Sequence, residues 1–393
     1  MVSDHEFMAL AIRLAKRGLY TTSPNPRVGC VLVKDGKIIG QGFHLRAGEG
    51  HAEVNAIADA KQRGNNTQGA TAYVTLEPCS HFGRTPPCSQ GLIDAGITRV
   101  VGAMTDPNPA VAGKGFNRLR DAGIEVVDNC LAAESAKLNP GFIKRMSMAA
   151  NANSAKKALP YVRLKMATSL DGRTAMQSGE SQWITGPEAR AEVQRIRAQS
   201  CAIICGADSV LIDDPSMNVR IQPEGFDGEP QEIRQPVRVI IDSQHRVQAD
   251  AKIFTHPGKV IIVSPVAPKS AIAGNGSSDC SVSYLQIAAS QNNDRQQVDL
   301  KDLLVTLAKQ GINEVLIESG AQLAGAFVAQ NLVDELVMFT APTLLGSDAR
   351  PAFALPFDTM DQQIRWAWKD VRMVGNDLKL VLKSQTSSSN EKS

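Results

Sequence analysis

The chain has 393 residues, 43% hydrophobic and 21% charged, with a formal net charge of +2, an ordinary globular composition with no general pull toward nucleic acid or another polyanion. That length exceeds what one hydrophobic core usually supports, so two domains are expected. The polar opening Met1-Val-Ser-Asp-His5 is not leader-like, no apolar run reaches spanning length, and seven cysteines, an odd number in a long chain, suggest no disulfide framework, which makes a cytoplasmic location the expectation.

Ser3 caps a first helix expected over 4–17, with Phe7, Leu10, Ile12 and Leu14 on its apolar face. Residues 21–26 form a rigid loop, and 28–33 and 37–40 read as a hairpin about Asp35-Gly36. A helix is expected from His51 to about 63, which puts His51 and Glu53 at one helix end. Strands at 71–76, 99–103 and 125–127 alternate with helices at 90–95 and 115–122, the pattern of an α/β sandwich around one sheet. A helix over 131–148 closes this half.

The small polar stretch 149–155 marks the boundary, giving domains at 1–148 and 149–384 and a disordered tail at 385–393. The second half opens with a strand at 161–167, where Val162, Leu164 and Met166 alternate with Arg163 and Lys165. Asp171-Gly172 makes a turn, and Pro187 starts a helix to about 198. Strands follow at 201–205, 237–243 and 259–264, then a surface loop at 273–278 and a helix at 299–310. A strand at 314–320 enters a Gly-rich turn and a helix at 321–330, and another strand lies at 335–340.

His51, Cys79 and Cys88 can hold a zinc ion at three tetrahedral positions and leave the fourth to water. Zinc lowers the pKa of such a water from about 16 toward roughly 7. Glu53 is not needed as a ligand, so it can carry the proton from that water to a ring nitrogen and on to departing ammonia. His-x-Glu followed by Pro-Cys is the order of residues in zinc deaminases, but their two cysteines lie closer together. Here 80–87 separates them, a loop that must fold back, with Pro86-Pro87 stiffening its return. His81 and Cys30 are competing ligands, and the bland alternative is a structural zinc, or no metal and two small buried thiols.

Asn25, between two prolines, can offer its amide to a ligand or serve only the turn. His44, Arg46 and Arg84 are candidate phosphate or base contacts, though each alone is more often a solvated side chain. In the second half, Gly320 after a buried strand permits close backbone approach, and the following helix start attracts phosphate, though Gly320-Ala-Gln-Leu-Ala-Gly325 lacks the G-x-G-x-x-G fingerprint. Ser181 and Trp183 offer a polar handle and an aromatic surface, the latter equally suited to core packing. Arg197 and Arg220 can clamp a phosphate.

Six stretches taken in order resemble the bifunctional deaminase/reductases of bacterial riboflavin biosynthesis. They are Thr-Ser-Pro-Asn-Pro-Arg-Val-Gly-Cys (22–30), His-Ala-Glu (51–53), Thr-Leu-Glu-Pro-Cys-Ser-His-Phe-Gly-Arg-Thr-Pro-Pro-Cys (75–88), Ser-Leu-Asp-Gly-Arg-Thr-Ala (169–175), Ser-Gly-Glu-Ser-Gln-Trp-Ile-Thr (178–185) and Asp-Asp-Pro (213–215). The resemblance covers nearly the whole chain except 222–235, 265–298 and the tail, and the long cysteine gap is that family's own form of the motif. It implies a cytidine deaminase-like α/β/α sandwich followed by a dihydrofolate reductase-like α/β domain. The first would hydrolyse the 2-amino group of a diamino-hydroxy-phosphoribosylaminopyrimidine, and the second would reduce the ribosyl group of the product to ribityl with NADPH.

By position, the resemblance gives zinc to His51, Cys79 and Cys88 and proton transfer to Glu53. It gives NADPH contacts to Ala167, Trp183, Ser209, Asp213, Ser243 and the turn Gly320, Ala321, Gln322, Leu323, Ala324, Gly325 and Ala326. Substrate contacts fall on Ser181, Arg197, Met217, Arg220 and Glu318. Position 167 is often glycine in the family. Lys165 or Asp213 is expected to assist proton movement in the reduction. The implied partners are a small phosphorylated pyrimidine and further copies of the chain, as a dimer or tetramer through the second domain, without nucleic acid or membrane. A nucleic-acid-editing deaminase is the rival reading, but aromatics are only 5% and no Lys/Arg run marks the second half. A zinc-stabilised scaffold is the other.

Overall fold

The computed structural model describes residues 3–80, 86–150, 157–221, 233–268, 272, 279–290 and 297–385. His81, Arg84, the loop expected at 273–278 and the tail past residue 385 therefore lie outside the described residues. The main break in contacts falls between Leu159 and Pro160 and separates two compact units.

The first unit opens with α1 (Asp4–Lys16). The Ser3 N–H donates to Glu6 Oε2 at 2.7 Å, and acidic residues at the helix start and basic ones at its end suit the helix dipole. The hairpin of β1 (Gly29–Lys34) and β2 (Lys37–Phe43) turns at Asp35-Gly36, both with positive φ. Then come α2 (Ala52–Gln62), β3 (Thr71–Val74), α3 (Cys88–Asp94), β4 (Arg99–Gly102), α4 (Lys114–Asp121) and β5 (Glu125–Val127). Among the described residues the strands form one sheet in the order β2-β1-β3-β4-β5, with β1 antiparallel to its neighbours and β3, β4 and β5 parallel.

Alternation along β1 divides the core. Cys30 and Leu32 face a cluster with Ala52 and Ala56 of α2, Leu92 of α3 and Phe116 of α4, whereas Val31 and Val33 face Phe7, Met8 and Ala11 of α1. This is the expected α/β/α sandwich. The helix expected over 131–148 is two helices, α5 (Ala132–Ala136) and α6 (Pro140–Ala150). Pro140 has no N–H to continue a helix and takes a first position in the next one. Helix α6 continues past the boundary expected at 148/149.

The second unit contains β6 (Tyr161–Ser169), β7 (Arg173–Ala175), α7 (Pro187–Gln199), β8 (Ala202–Gly206), α8 (Ala207–Asp213), β9 (Val237–Ile241), β10 (Gly258–Ser264), β11 (Cys280–Gln286), α9 (Leu300–Lys309), β12 (Glu314–Ile317), α10 (Ala321–Ala329), β13 (Glu335–Ala341), β14 (Arg350–Pro351), β15 (Trp366–Val374) and β16 (Asp377–Ser384). Its large sheet has the order β11-β10-β9-β8-β12-β6-β13-β16-β15, parallel up to β13 and antiparallel for the last two strands. Strands β7, β11, β14, β15 and β16 were not expected from the sequence. Among the described residues no helix is long and apolar enough to cross a membrane.

Candidate functional site

In the first unit, His51 is the N-cap of α2, Glu53 lies in its first turn, Cys88 opens α3, and Cys79 follows β3. His51 Nδ1 lies 3.1 Å from Cys88 Sγ and 3.8 Å from Cys79 Sγ, and the Cys88 N–H donates to Cys79 Sγ at 3.2 Å. The three ligand atoms lie within 4.8 Å of one another. Tetrahedral zinc–sulfur and zinc–nitrogen bonds require donor separations of about 3.6 Å, so one imidazole and two thiols here fit that ion. Among the described residues these three form the only such cluster, and Cys30 is not in it.

Glu53 is 3% exposed, and burial, then the neighbouring Cys79, raises its carboxyl to about 7. Hydrogen bonding from Cys88 and His51 pulls the Cys79 thiol down toward the thiolate, the form a metal takes. His44 packs edge-on against His51 with ring centroids 5.1 Å apart. It bridges Gly50 O at 3.0 Å through Nδ1 and Asn25 Nδ2 at 3.0 Å through Nε2, so Asn25 meets a ring beside the metal ligands as well as serving the loop. Burial lowers the His44 pKa, which suits a neutral ring donating to Gly50 and accepting from Asn25.

In the second unit, the C-terminal ends of β6, β8 and β12 open onto a cleft of about 610 Å³. Ala167, Ser181, Trp183, Arg197, Ser209, Asp213, Met217 and Glu318 line it, together with Gly320, Ala321, Gln322 and Leu323. A second cleft of about 830 Å³ takes in Ser243, Gly325 and Ala326 and shares Gly206, Asp208, Gln322 and Leu323 with the first, so the two form one groove past the start of α10. Ala324 is fully buried and lines neither, and Arg220 lies outside both.

Trp183 is 68% exposed, with the Arg190 guanidinium 4.5 Å from its ring centroid, so it serves as cleft surface and not as core. Ser181 Oγ donates to Asp213 Oδ1 at 3.0 Å. Arg197 grips Glu318 through two bonds, Nε to Oε1 at 2.6 Å and Nη2 to Oε2 at 3.0 Å, while Lys165 Nζ stands 3.6 Å from Oε2. Burial pushes the Glu318 carboxyl up, but the two cations outweigh it and hold it at about 2. Burial lowers the Lys165 pKa against the pull of Glu318. The fork of Arg197 is thus engaged by Glu318 at the cleft, where Arg197 also lines the wall. Arg220 bonds Asn218 Oδ1 at 3.0 Å from an exposed position.

Ser319 Oγ is buried in the cleft without a hydrogen-bond partner among the described residues, beside the start of α10, which fits an anionic or polar ligand group there. Sequence reasoning missed Ser319, Arg190 and Arg350, all lining the cleft, because nothing about their spacing sets them apart. Gly325 has a packing reason of its own, since a Cβ there would run into the Ala354 carbonyl oxygen. Asp171 accepts the Leu345 N–H at 3.1 Å and the Gly346 N–H at 2.9 Å, so its motif braces a loop.

Comparison with known proteins agrees with both halves. The cytidine and deoxycytidylate deaminase zinc-binding region matches residues 1–104, and the RibD C-terminal domain matches 160–380. A riboflavin biosynthesis protein RibD from Haemophilus influenzae is 48% identical over 384 residues, 96% of each chain. The chain belongs to the RibD family. The Escherichia coli RibD is 46% identical over 97% of this chain and 99% of its own. A solved RibD from Acinetobacter baumannii has a TM-score of 0.84 at 47% identity, covering 97% of this chain and 99% of that one. The Thermotoga maritima structure, a diaminohydroxyphosphoribosylaminopyrimidine deaminase/5-amino-6-(5-phosphoribosylamino)uracil reductase, has a TM-score of 0.81 at 31% identity, covering 97% and 98%. As a member of that family, the chain is a bifunctional deaminase and reductase of riboflavin biosynthesis, with a zinc-binding first half.

Proposed function

We propose that the first unit hydrolyses the 2-amino group of 2,5-diamino-6-(5-phosphoribosylamino)pyrimidin-4(3H)-one. The second would then reduce the ribosyl chain of the resulting aminouracil to ribityl with NADPH. The name of the Thermotoga relative supports the two substrates. The observation that carries the deaminase reading is a fully buried carboxylate, Glu53, beside a three-donor His/Cys/Cys set. His51, Cys79 and Cys88 would hold zinc, which would supply Lewis acidity to the attacking water. Glu53 receives a proton at its carboxylate and returns it to the leaving amine, and His44, bonded to Asn25, packs against the His51 ring.

NADPH supplies the hydride in the second unit. Trp183 offers a flat exposed face, Ser319 Oγ and the N-terminus of α10 suit the cofactor's phosphates, and Ser243 lies along the continuing groove. Glu318 keeps Lys165 and Arg197 at the cleft floor, where Lys165 Nζ is placed to move a proton, and Ser181 with Asp213 offers a second polar pair. Arg220, whose charged neighbours include Arg197 and Glu318, would offer its charge to the substrate phosphate. Thiol ligands and a reduced dinucleotide both suit a reducing cytoplasmic compartment.

Glu53→Gln tests the proposal. Ammonia release should fall by about 10²- to 10⁴-fold, while NADPH oxidation with the pre-deaminated intermediate continues. Unchanged ammonia release contradicts the role given to Glu53.

A further inference from the structure

Glu77, two residues before the ligand Cys79, has no task in the chemistry above, yet it is 3% exposed. Its Oε2 accepts the Asp106 N–H at 3.0 Å and the Gly113 N–H at 2.8 Å. Its Oε1 accepts the Gly115 N–H at 2.7 Å and the Phe116 N–H at 3.4 Å. These donors belong to the segment that leads into α4 and to the helix's first turn, where N–H groups lack helical partners. The two carboxyl oxygens of Glu77 thus serve as acceptors for all four N–H groups.

The same segment presses on the next residue. A Cβ at Gly115 would run into the Pro78 carbonyl oxygen, so only glycine permits this approach. From the other side α3 holds Cys79, whose carbonyl accepts the Ser89 N–H at 3.2 Å and Ser89 Oγ at 3.0 Å. Residues 77–79 are therefore gripped on both flanks just where the chain presents a ligand.

We propose that Glu77 is a positioning residue for the metal centre, anchoring the exit of β3 to the start of α4 so that Cys79 Sγ stands beside His51 and Cys88 before metal arrives. The proposal rests on the reading of His51, Cys79 and Cys88 as the zinc ligands. Glutamine at 77 would keep one acceptor oxygen and turn an amide toward N–H donors.

The test compares purified full-length wild type, Glu77→Gln and Asp4→Asn for zinc retention against a chromophoric chelator. Asp4 is the matched destabilisation, since it pairs with Arg99 and Tyr73 in the same unit and touches no ligand. Glu77→Gln should weaken zinc retention about 10- to 100-fold, the range for groups that orient metal ligands. Asp4→Asn should stay near wild type, and the reductase rate should hold in both. Equal zinc retention by Glu77→Gln and Asp4→Asn overturns the proposal. A wild-type chain that takes up no zinc overturns the metal reading, and this proposal with it. Hydrogen exchange on metal-stripped wild type gives a second arm independent of any variant. The Gly113 and Gly115 amides should stay protected without zinc, and free exchange there would show that the metal holds the segment instead.

Discussion

Single residues carry most of the chemistry here, and their surroundings decide which can act. Arg197 and Arg220 looked interchangeable as phosphate clamps until burial separated them. Arg197 pairs with Glu318 inside the cleft, whereas Arg220 is exposed and bonds Asn218. Arg220→Ala should therefore raise the substrate KM about tenfold or more, the loss of one charge-assisted pair, and leave the NADPH KM within about twofold. Equal increases in both would remove Arg220 from the phosphate role. The cluster of His51, Cys79 and Cys88 was legible because few residue types hold zinc. Glu77 and Ser319 were not, because their roles depend on backbone N–H groups and a cleft wall brought in by the fold.

Elements were legible wherever one face of a helix or strand repeats. The hairpin at Asp35-Gly36, helix α2 and the buried parallel strands of the second unit follow directly from periodicity. The split at Pro140 was missed because apolar spacing continues through it, although the proline alone argues for a break. Strand β15 escaped because the bulge between Trp368 and Asp370 moves its apolar face from even to odd positions and breaks the alternation.

The parallel strands also gather buried charge. Arg163 at the start of β6 lies 2.5 Å from Glu335 and 3.6 Å from Glu314, and Lys369 also pairs with Glu335. Burial raises the Glu335 carboxyl, but Arg163 and Lys369 outweigh it and hold it at about 2, as Arg197 and Lys165 do for Glu318. A carboxyl depressed from 4.5 on folding stabilises fully above that value and loses its contribution as pH falls through 2. All three tryptophans, Trp183, Trp366 and Trp368, lie in the second unit, so their fluorescence reports on it alone. The denaturant midpoint read this way should be flat from pH 7 to about 5 and fall below about 4.5. A midpoint that rises on acidification would contradict the assignment.

At the scale of the whole molecule, one surface is left apolar. Trp368, Val371 and Met373 of β15, 66%, 54% and 59% exposed, stand beside Leu382, Leu380 and Leu378 of β16 on one face of the sheet. The opposite face buries Val337, Phe339 and Val381 with Ala189, Val193 and Ile196 of α7. Exposed apolar surface of this kind is what proteins use for association.

The proposed metal-dependent amino-hydrolysis in the first unit feeds a separate reduction in the second. The most direct measurement follows ammonia release and NADPH consumption together on the diamino substrate, with zinc removed by chelator and then restored. Both signals should stop on zinc removal and return with zinc, while the pre-deaminated intermediate is reduced at the same rate throughout. Ammonia release that continues unchanged in the zinc-free protein would contradict the account.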